Sequence, residues 1–312
     1  MIKNWKIWIK VAVSITILTV LLRSVELGRI YQVLSGVNLL YASSALGLIF
    51  VSVLFAAFKL TKVIQSSSIR IGWSSVTRIC LISQSFNQIL PGRVGGDVIR
   101  IFYLAKVENL DKLKALSAVV FDRFSNLLSM LLIGCIAAPL HFLAQHQKFI
   151  YFLWGCSLVL LILLLSHSLI FSKIESIIGK HLTGRAEFIK RLLGTAYTFN
   201  HSLKFLFLAT LFQLIVILVN YCVGLALGFT LPLGYYCAFI PLLALVTLVP
   251  VSLGGLGVRE LSYVFFLGLE GISTPDALGF SILIFVLLLL SSLPGLVLFT
   301  LGSEKYGEIT ES

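Results

Sequence analysis

The chain has 312 residues, of which 58% are hydrophobic and only 12% are charged. Soluble domains are about a quarter charged, so this composition excludes a separate water-soluble catalytic module. It predicts a single integral membrane domain over residues 1–312. The formal net charge of +11 is typical of membrane proteins, which keep Lys and Arg in their cytoplasmic loops. We expect no nucleic-acid partner, because no basic stretch carries the interleaved aromatic residues that would bind one.

The cysteines and histidines form no recognisable metal or disulfide pattern. The five cysteines lie within or beside apolar runs without CxxC spacing, and the five histidines show neither His-x3-His nor HExxH spacing. Cysteine in such surroundings is typical of a small buried hydrophobic residue. We therefore predict no metal site, no cofactor and no catalytic residue.

Six apolar runs are long enough to cross a membrane, whose hydrocarbon core of about 30 Å requires roughly 20 helical residues. In chain order they lie near 5–22, 39–58, 115–140, 149–171, 205–229 and 277–301. The first run follows several lysines and resembles a signal peptide, but no small-x-small cleavage site comes after it. We interpret it as a retained first span.

Two further apolar runs are too short to cross. Ile79–Leu90 has 12 residues and Tyr235–Val249 has 15. At about 1.5 Å per residue they span only about 18 and 22 Å. Each run ends at a Pro/Gly motif that is followed by another short apolar helix, Val98–Val107 in the first half and Gly257–Leu269 in the second. The pattern predicts two re-entrant hairpins, whose broken backbone must be buried in protein or line a wet cavity.

The two breaks share one sequence motif. Leu90–Arg100 and Val249–Arg259 both contain Pro-x3-Gly-Gly-x3-Arg, and every shared residue is displaced by 159 positions. The predicted helix-breaking residues are Pro91 and Pro250, because proline removes a backbone donor. The Gly-Gly pair lets the chain turn and be approached closely.

Lys and Arg orient the spans. They concentrate in segments 59–78 and 172–204, whereas the connections on the opposite side are neutral or acidic. The positive-inside rule therefore predicts that both termini and the two basic segments are cytoplasmic, including the tail 304–312. The half-repeats, about 1–145 and 146–303, would then have opposite orientations. This arrangement predicts an inverted-topology repeat with a substrate site near the membrane midplane.

Both motifs have features of an anion site. The helix that resumes after each Gly-Gly pair presents free N–H groups and the positive end of its dipole, which favour a phosphate or a carboxylate. Arginines in the first turn of those helices would bind phosphate bidentately. The predicted headgroup-binding residues are Arg93, Arg100, Arg259, Asn87, Gly95, Gly96, Gly254 and Gly255. The alternative for Arg100 and Arg259 is that each snorkels to the interface at a helix end.

Charged residues at membrane depth cost about 2.5–3.5 kcal/mol each on insertion scales, so they require partners or a task. The residues predicted to balance or couple charge are Asp97, Asp122, Arg123 and Glu260. We expect Arg123 to pair with Asp97 or Glu260. We expect Asp122 to pair with Arg93 or Arg100. A purely structural ion-pair network that closes the bundle is the alternative.

These residues resemble the flippase-like membrane domain of the lysylphosphatidylglycerol synthase family. The resemblance rests on Asn87–Arg100, on Asp122 with Arg123, and on Pro250–Glu260, and it covers nearly the whole chain. It implies a domain that moves an aminoacylated phospholipid between leaflets, or, in relatives without the synthase, polyprenyl-phosphate-linked sugars or hopanoid-type lipids. Because the sequence ends at Ser312, we expect a stand-alone member that is not an enzyme. The second half has no Asp-Arg counterpart, so the ion network is expected to be one-sided.

The sequence therefore predicts a lipid flippase or scramblase of the cytoplasmic (inner) membrane. Its expected substrate is an anionic phospholipid or a polyprenyl-phosphate-linked lipid. No GxxxxGK[ST] motif is present, so we expect movement to be passive or ion-coupled. A secondary transporter of a small anionic solute, or a membrane partner of a separately encoded lipid-modifying enzyme, are the alternatives. Membrane lipids are the expected partners, and the plan is compatible with a homo-oligomer.

Overall fold

In a computed structural model the protein is described at residues 27–66, 69–89, 95–106, 110–141, 151, 154–156, 158–159, 199–248 and 257–307. Within these residues the chain is helical apart from short turns and connections, and it contains no strand. The all-α prediction is confirmed for this part of the chain. The predicted span 5–22 and most of the predicted span 149–171 lie outside the described residues.

Most of the described residues belong to helices that we number in chain order. They are α1 (Leu27–Ser35), α2 (Leu39–Gln65), α3 (Trp73–Ile89), α4 (Gly95–Lys106), α5 (Lys112–His141), α6 (Phe199–Ala226), α7 (Leu233–Leu248), α8 (Val258–Gly268) and α9 (Thr274–Gly307). Helices α2, α5, α6 and α9 are long and apolar enough to cross a membrane. They coincide with the predicted spans 39–58, 115–140, 205–229 and 277–301. The protein is a multi-pass membrane protein.

The first of these spans extends further than the sequence pattern predicted. Helix α2 continues to Gln65 through Lys59, which the positive-inside rule assigned to a cytoplasmic segment at 59–78. That boundary was wrong. The helix continues because its buried face persists past the lysine, with Leu60 and Val63 fully covered. Helical periodicity, and not the position of the first positive charge, therefore sets the end of this helix.

Both predicted pairs of short helices are present, α3 with α4 and α7 with α8. Helix α3 has 17 residues and α7 has 16, fewer than the roughly 20 that cross a hydrocarbon core. The residues that join each pair, 90–94 and 249–256, lie outside the described residues and include Pro91 and Pro250. Gly257, immediately before α8, has a φ of 83°, a left-handed conformation that glycine adopts without steric cost.

Helix α1 is an element that the hydropathy pattern did not predict. It has only nine residues, too few to form an apolar run of membrane length. Its Ile30 is buried against Leu278 of α9, and Tyr31 on the next position is largely exposed. A Cβ added to Gly279 of α9 would approach the Val33 side chain at 2.7 Å. The absence of a side chain at Gly279 therefore lets α1 pack directly on α9.

Two apolar cores stabilise the bundle at different levels along the long helices. One core includes the first half of α2 and the second half of α5, through residues such as Ile49 and Leu131. The other includes the second half of α2 and the first half of α5, through residues such as Leu60 and Ala118. Buried polar side chains occupy the level between them, including those of Asp122, Ser125, Asn126 and Gln213. A polar layer in the middle of an apolar membrane bundle is typical of a functional site.

Helix α3 is held against α9 close to this layer. The Ser85 hydroxyl donates to the carbonyl of Ser292 at 2.5 Å. A Cβ added to Gly295 would collide with the backbone carbonyl of Leu81. The two backbones therefore approach more closely than any side chain at position 295 would allow, and this contact fixes the helix that leads into the first break.

Candidate functional site

A cavity of about 350 Å³ lies between the two apolar cores. Ser52, Asn126 and Phe212 line it, and these residues fall at the middles of α2, α5 and α6. Every helix from α2 to α9 contributes to the lining. The cavity therefore lies level with the middles of three helices that are long and apolar enough to cross a membrane.

Residues predicted from both motifs reach this cavity. Those that line it are Asn87, Arg100, Asp122, Arg123 and Arg259. They come from α3, α4, α5 and α8, so the two halves of the chain contribute to one cavity. Gln84 and Gln88 of α3 also line it and add amide groups that both donate and accept hydrogen bonds.

The first break is closed by direct contact between α3 and α4. The Gly96 N–H donates to Oδ1 of Asn87 at 3.0 Å, and the Ser83 hydroxyl donates to the Gly96 carbonyl at 2.7 Å. A Cβ added to Gly96 would collide with the Ser83 carbonyl and with the Asn87 side chain. Asn87 therefore positions the start of α4, and Gly96 permits the close approach that the motif predicted.

Some predicted site residues lie outside the described residues. These are Pro91, Arg93, Pro250, Gly254 and Gly255. Gly95 is described and begins α4. The first motif is therefore described from its Gly-Gly pair onward, and the second from Gly257 onward.

Asp97 and Arg123 form a bidentate ion pair between α4 and α5. Nε of Arg123 donates to Oδ2 of Asp97 at 2.8 Å, and Nη2 donates to Oδ1 at 2.7 Å. This is one of the two contacts expected for Arg123. Asp97 lies in the first turn of α4, where the helix dipole also favours a negative charge. The pair therefore joins the break to the neighbouring span.

The partner of Asp122 is Lys59, a residue that sequence reasoning placed in the cytoplasmic segment 59–78. Nζ of Lys59 lies 3.1 Å from Oδ1 of Asp122, and the lysine side chain is only 1% exposed. The same ammonium group donates to the Asn126 side chain, which in turn donates to Oδ2 of Asp122 at 3.3 Å. The expected pairing of Asp122 with an arginine is wrong for Arg100, because no ion pair joins these two described residues. In the sequence, apolar residues continue at helical spacing past Lys59, at Leu60, Val63 and Ile64. This pattern would have placed Lys59 inside the bundle.

Arg100 lacks a close carboxylate of its own. It is 8% exposed, and its Nε has no hydrogen-bond partner among the described residues. The carboxylate oxygen nearest to its Nη1 is Oδ1 of Asp97 at 3.8 Å, and that oxygen already accepts from Arg123. A buried guanidinium in this state retains most of its capacity to bind an anion.

In the second half, Arg259 and Glu260 pair with each other. Nη2 and Nε of Arg259 donate to Oε1 of Glu260 at 2.7 and 3.1 Å. The other carboxylate oxygen accepts from the Gly257 N–H at 2.6 Å, so Glu260 also caps α8. Of the two partners expected for Arg123, the structure therefore has Asp97 and not Glu260. The Arg259 side chain is long enough to fold back on its neighbour, and its guanidinium lies 5.5 Å from the Phe285 ring centre.

The family of this chain follows from its match to a known family profile. A family profile described as the lysylphosphatidylglycerol synthase TM region matches residues 7–295. The chain belongs to this family. The match includes every residue that lines the cavity, from Ile49 to Leu288. No curated protein matches the chain closely enough to count as a relative. Membership in the lysylphosphatidylglycerol synthase TM family associates the protein with a function on membrane lipids.

Proposed function

We propose that this protein moves an anionic lipid, a phospholipid or a polyprenyl-phosphate-linked lipid, between the two leaflets of the cytoplasmic membrane. The observation that carries the proposal is the convergence of Arg100, Arg123 and Arg259 on one cavity at the middle of the membrane spans. Arginines suit a phosphate better than lysines would, because the guanidinium fork matches two phosphate oxygens. A lipid that crosses the membrane must carry its headgroup through this depth.

The surroundings of Arg123 support lateral access from the lipid. Its side chain is 49% exposed although it lines the cavity. Val120, one turn earlier on the same face of α5, and Val98 and Phe102 of the neighbouring α4 are large apolar residues that are also exposed. Apolar side chains of this kind suit contact with lipid tails. A headgroup would then pass beside Arg123 while its acyl or prenyl chains stay outside.

In this proposal the α3–α4 and α7–α8 pairs are re-entrant hairpins that enter from opposite membrane faces. Each break would face the cavity, where irregular backbone is tolerated because it is surrounded by protein and water. Arg100 and Arg259 would hold the phosphate in turn during passage. When no lipid is present, Asp97 and Glu260 would balance arginine charges and Asp122 would balance the charge of Lys59.

The test is leaflet exchange by the whole protein reconstituted in lipid vesicles. Acyl-labelled phosphatidylglycerol is added to the vesicles, and a membrane-impermeant reductant bleaches the label in the outer leaflet only. We expect the protein to make the inner-leaflet label accessible. The Arg100→Gln and Arg259→Gln variants should each slow this exchange by about tenfold or more, the effect of about 1.4 kcal/mol at a phosphate contact.

The matched control is Arg78→Gln on α3, since Arg78 is exposed and does not line the cavity. If both cavity variants exchange lipid between leaflets at the wild-type rate, Arg100 and Arg259 do not hold the phosphate during passage. Vesicles that show no exchange for any anionic lipid but take up a soluble organic phosphate would favour the small-solute transporter.

A further inference from the structure

The charged groups at the cavity that belong to described residues match one to one, with a single cation left over. Lys59 pairs with Asp122, Arg123 pairs with Asp97, and Arg259 pairs with Glu260. The unmatched cation is Arg100, whose closest carboxylate contact is the 3.8 Å approach to an oxygen of Asp97. Among the described residues that line the cavity or touch its lining charges, four are cationic and three are anionic, which leaves one net positive charge.

The unmatched charge is also the one that is withdrawn from water. Arg100 is more than nine-tenths buried, and its Nε has no partner among the described residues. Burying a cation without a counter-ion is unfavourable because the lost hydration is not replaced. A buried arginine in this state is best explained by an anion that supplies the missing charge and the missing acceptor when it is bound.

Each of the three carboxylates is already paired with a cation of the protein. Asp97 and Glu260 accept hydrogen bonds from arginines, and Oδ1 of Asp122 lies 3.1 Å from the Lys59 ammonium group. An ammonium group in the cavity would have to displace one of these cations and would meet an environment that is already positive. The amide groups of Gln84 and Gln88, which line the same space, suit hydroxyl groups instead.

From this charge balance we infer that the cavity selects a phosphodiester lipid with one net negative charge and a hydroxylated, amine-free headgroup. Arg100 binds the phosphate, and the glutamine amides of α3 contact the hydroxyl groups. Aminoacylated lipids, which carry an added ammonium group, and zwitterionic lipids are excluded. The inference rests on the proposed function for its lipid source, but it concerns binding selectivity, which is measurable without transport.

The test compares lipids that share their acyl chains and differ in headgroup charge. Whole protein in detergent is titrated with phosphatidylglycerol, with zwitterionic phosphatidylethanolamine and with cationic lysylphosphatidylglycerol, and binding is followed by native mass spectrometry and by the melting temperature. We expect phosphatidylglycerol to bind about tenfold or more tightly than either of the others. Water-soluble glycerophosphoglycerol forms a separate arm and should bind more weakly than the lipid.

Variants that change the charge balance of the cavity should change which lipid headgroup binds most tightly. Arg100→Gln leaves the counted charges of the described residues balanced and should abolish the advantage of phosphatidylglycerol, whereas Arg100→Lys keeps the charge but not the fork and should retain part of it. Asp97→Asn adds one positive charge and should shift the preference toward phosphatidic acid, which carries more negative charge. Arg78→Gln, an exposed position on α3, should leave all affinities unchanged. If Arg100→Gln fails to fold, Arg100→Lys and Asp97→Asn still give the comparison.

Equal affinity for the three lipids, or tighter binding of lysylphosphatidylglycerol, would overturn the inference. Equal leaflet exchange of all three lipids would overturn it too, while leaving the proposed lipid movement intact. Selective binding of phosphatidylglycerol without any leaflet exchange would uphold the inference and count against the proposed function. If glycerophosphoglycerol binds as tightly as the lipid, the ligand is a free phosphodiester and the lipid source is wrong.

Discussion

The α3–α4 pair and the α7–α8 pair share one sequence motif but differ in how their charges are compensated. In the first pair, Asp97 reaches across to Arg123 of the neighbouring span. In the second pair, Glu260 bonds to the adjacent Arg259 and to the backbone of Gly257. The first break is therefore tied electrostatically to another helix, whereas the second satisfies its charges within its own first turn.

The two pairs of short helices also differ in the contacts that hold them in the bundle. Aromatic side chains and hydrogen bonds fix the second pair: the Tyr235 hydroxyl donates to the Phe266 carbonyl at 2.5 Å, and the Tyr263 hydroxyl donates to Asn220 at 2.8 Å. The first pair is fixed by the contact of Gly96 with Asn87 and borders the buried Lys59–Asp122 pair. The same sequence motif therefore occurs in two surroundings: charged residues surround the α3–α4 pair, and aromatic residues surround the α7–α8 pair.

The largest expected effect comes from the buried ion pair beside the first break. Asp122→Ala leaves the Lys59 ammonium group, which is 1% exposed, without its carboxylate. We expect a loss of about 3–5 kcal/mol in the free energy of unfolding, the usual result when one member of a buried pair is removed. Thermal or denaturant unfolding of the purified protein in detergent measures this loss.

The double variant Lys59→Met with Asp122→Leu is the control for that prediction. It removes both charges and fills the space with apolar side chains, so it should recover most of the lost stability. A double variant as unstable as Asp122→Ala would show that the ion pair itself is required for folding.

An intermediate effect is expected where α3 and α4 touch. Gly96→Ala places a Cβ against the Ser83 carbonyl and the Asn87 side chain, so the two helices must separate. We expect a destabilisation of about 1–3 kcal/mol, the range for overpacking a tight contact. Gly47→Ala on α2 is the matched control, because a Cβ there meets nothing within 4 Å, and it should be neutral or stabilising. Equal melting temperatures for the two variants would contradict the close approach at the first break.

The smallest effect is expected at the second break. Glu260→Ala removes the acceptor for the Gly257 N–H and frees Arg259, whose side chain is partly accessible and retains Phe285. We expect a destabilisation of about 0.5–2 kcal/mol, as for the loss of a helix cap. Glu270→Ala, at an exposed turn after α8, should have no measurable effect on unfolding. A loss at Glu260 as large as that of Asp122→Ala would mean that the second break is also held by long-range charge.

The sequence by itself determined the features that depend on local pattern. Apolar runs of membrane length indicated the spans that became α2, α5, α6 and α9. The Pro-x3-Gly-Gly-x3-Arg repeat located both pairs of short helices and contained two of the three arginines that line the cavity, Arg100 and Arg259. These features follow from residues within one or two helical turns of each other, so they are readable without knowing which helices are neighbours.

The tertiary structure alone decided which charges meet. Lys59 and Asn126 are 67 residues apart in the chain, and only the packing of α2 against α5 brings them together. In the same packing Asp122 pairs with Lys59 and Glu260 pairs with Arg259. Arg100 is left with only the 3.8 Å approach to Asp97. Ion pairs over such separations depend on helix contacts and relative rotation, which hydropathy does not encode. The repeat therefore predicts two similar breaks, and the fold makes the first of them the one with an unmatched charge.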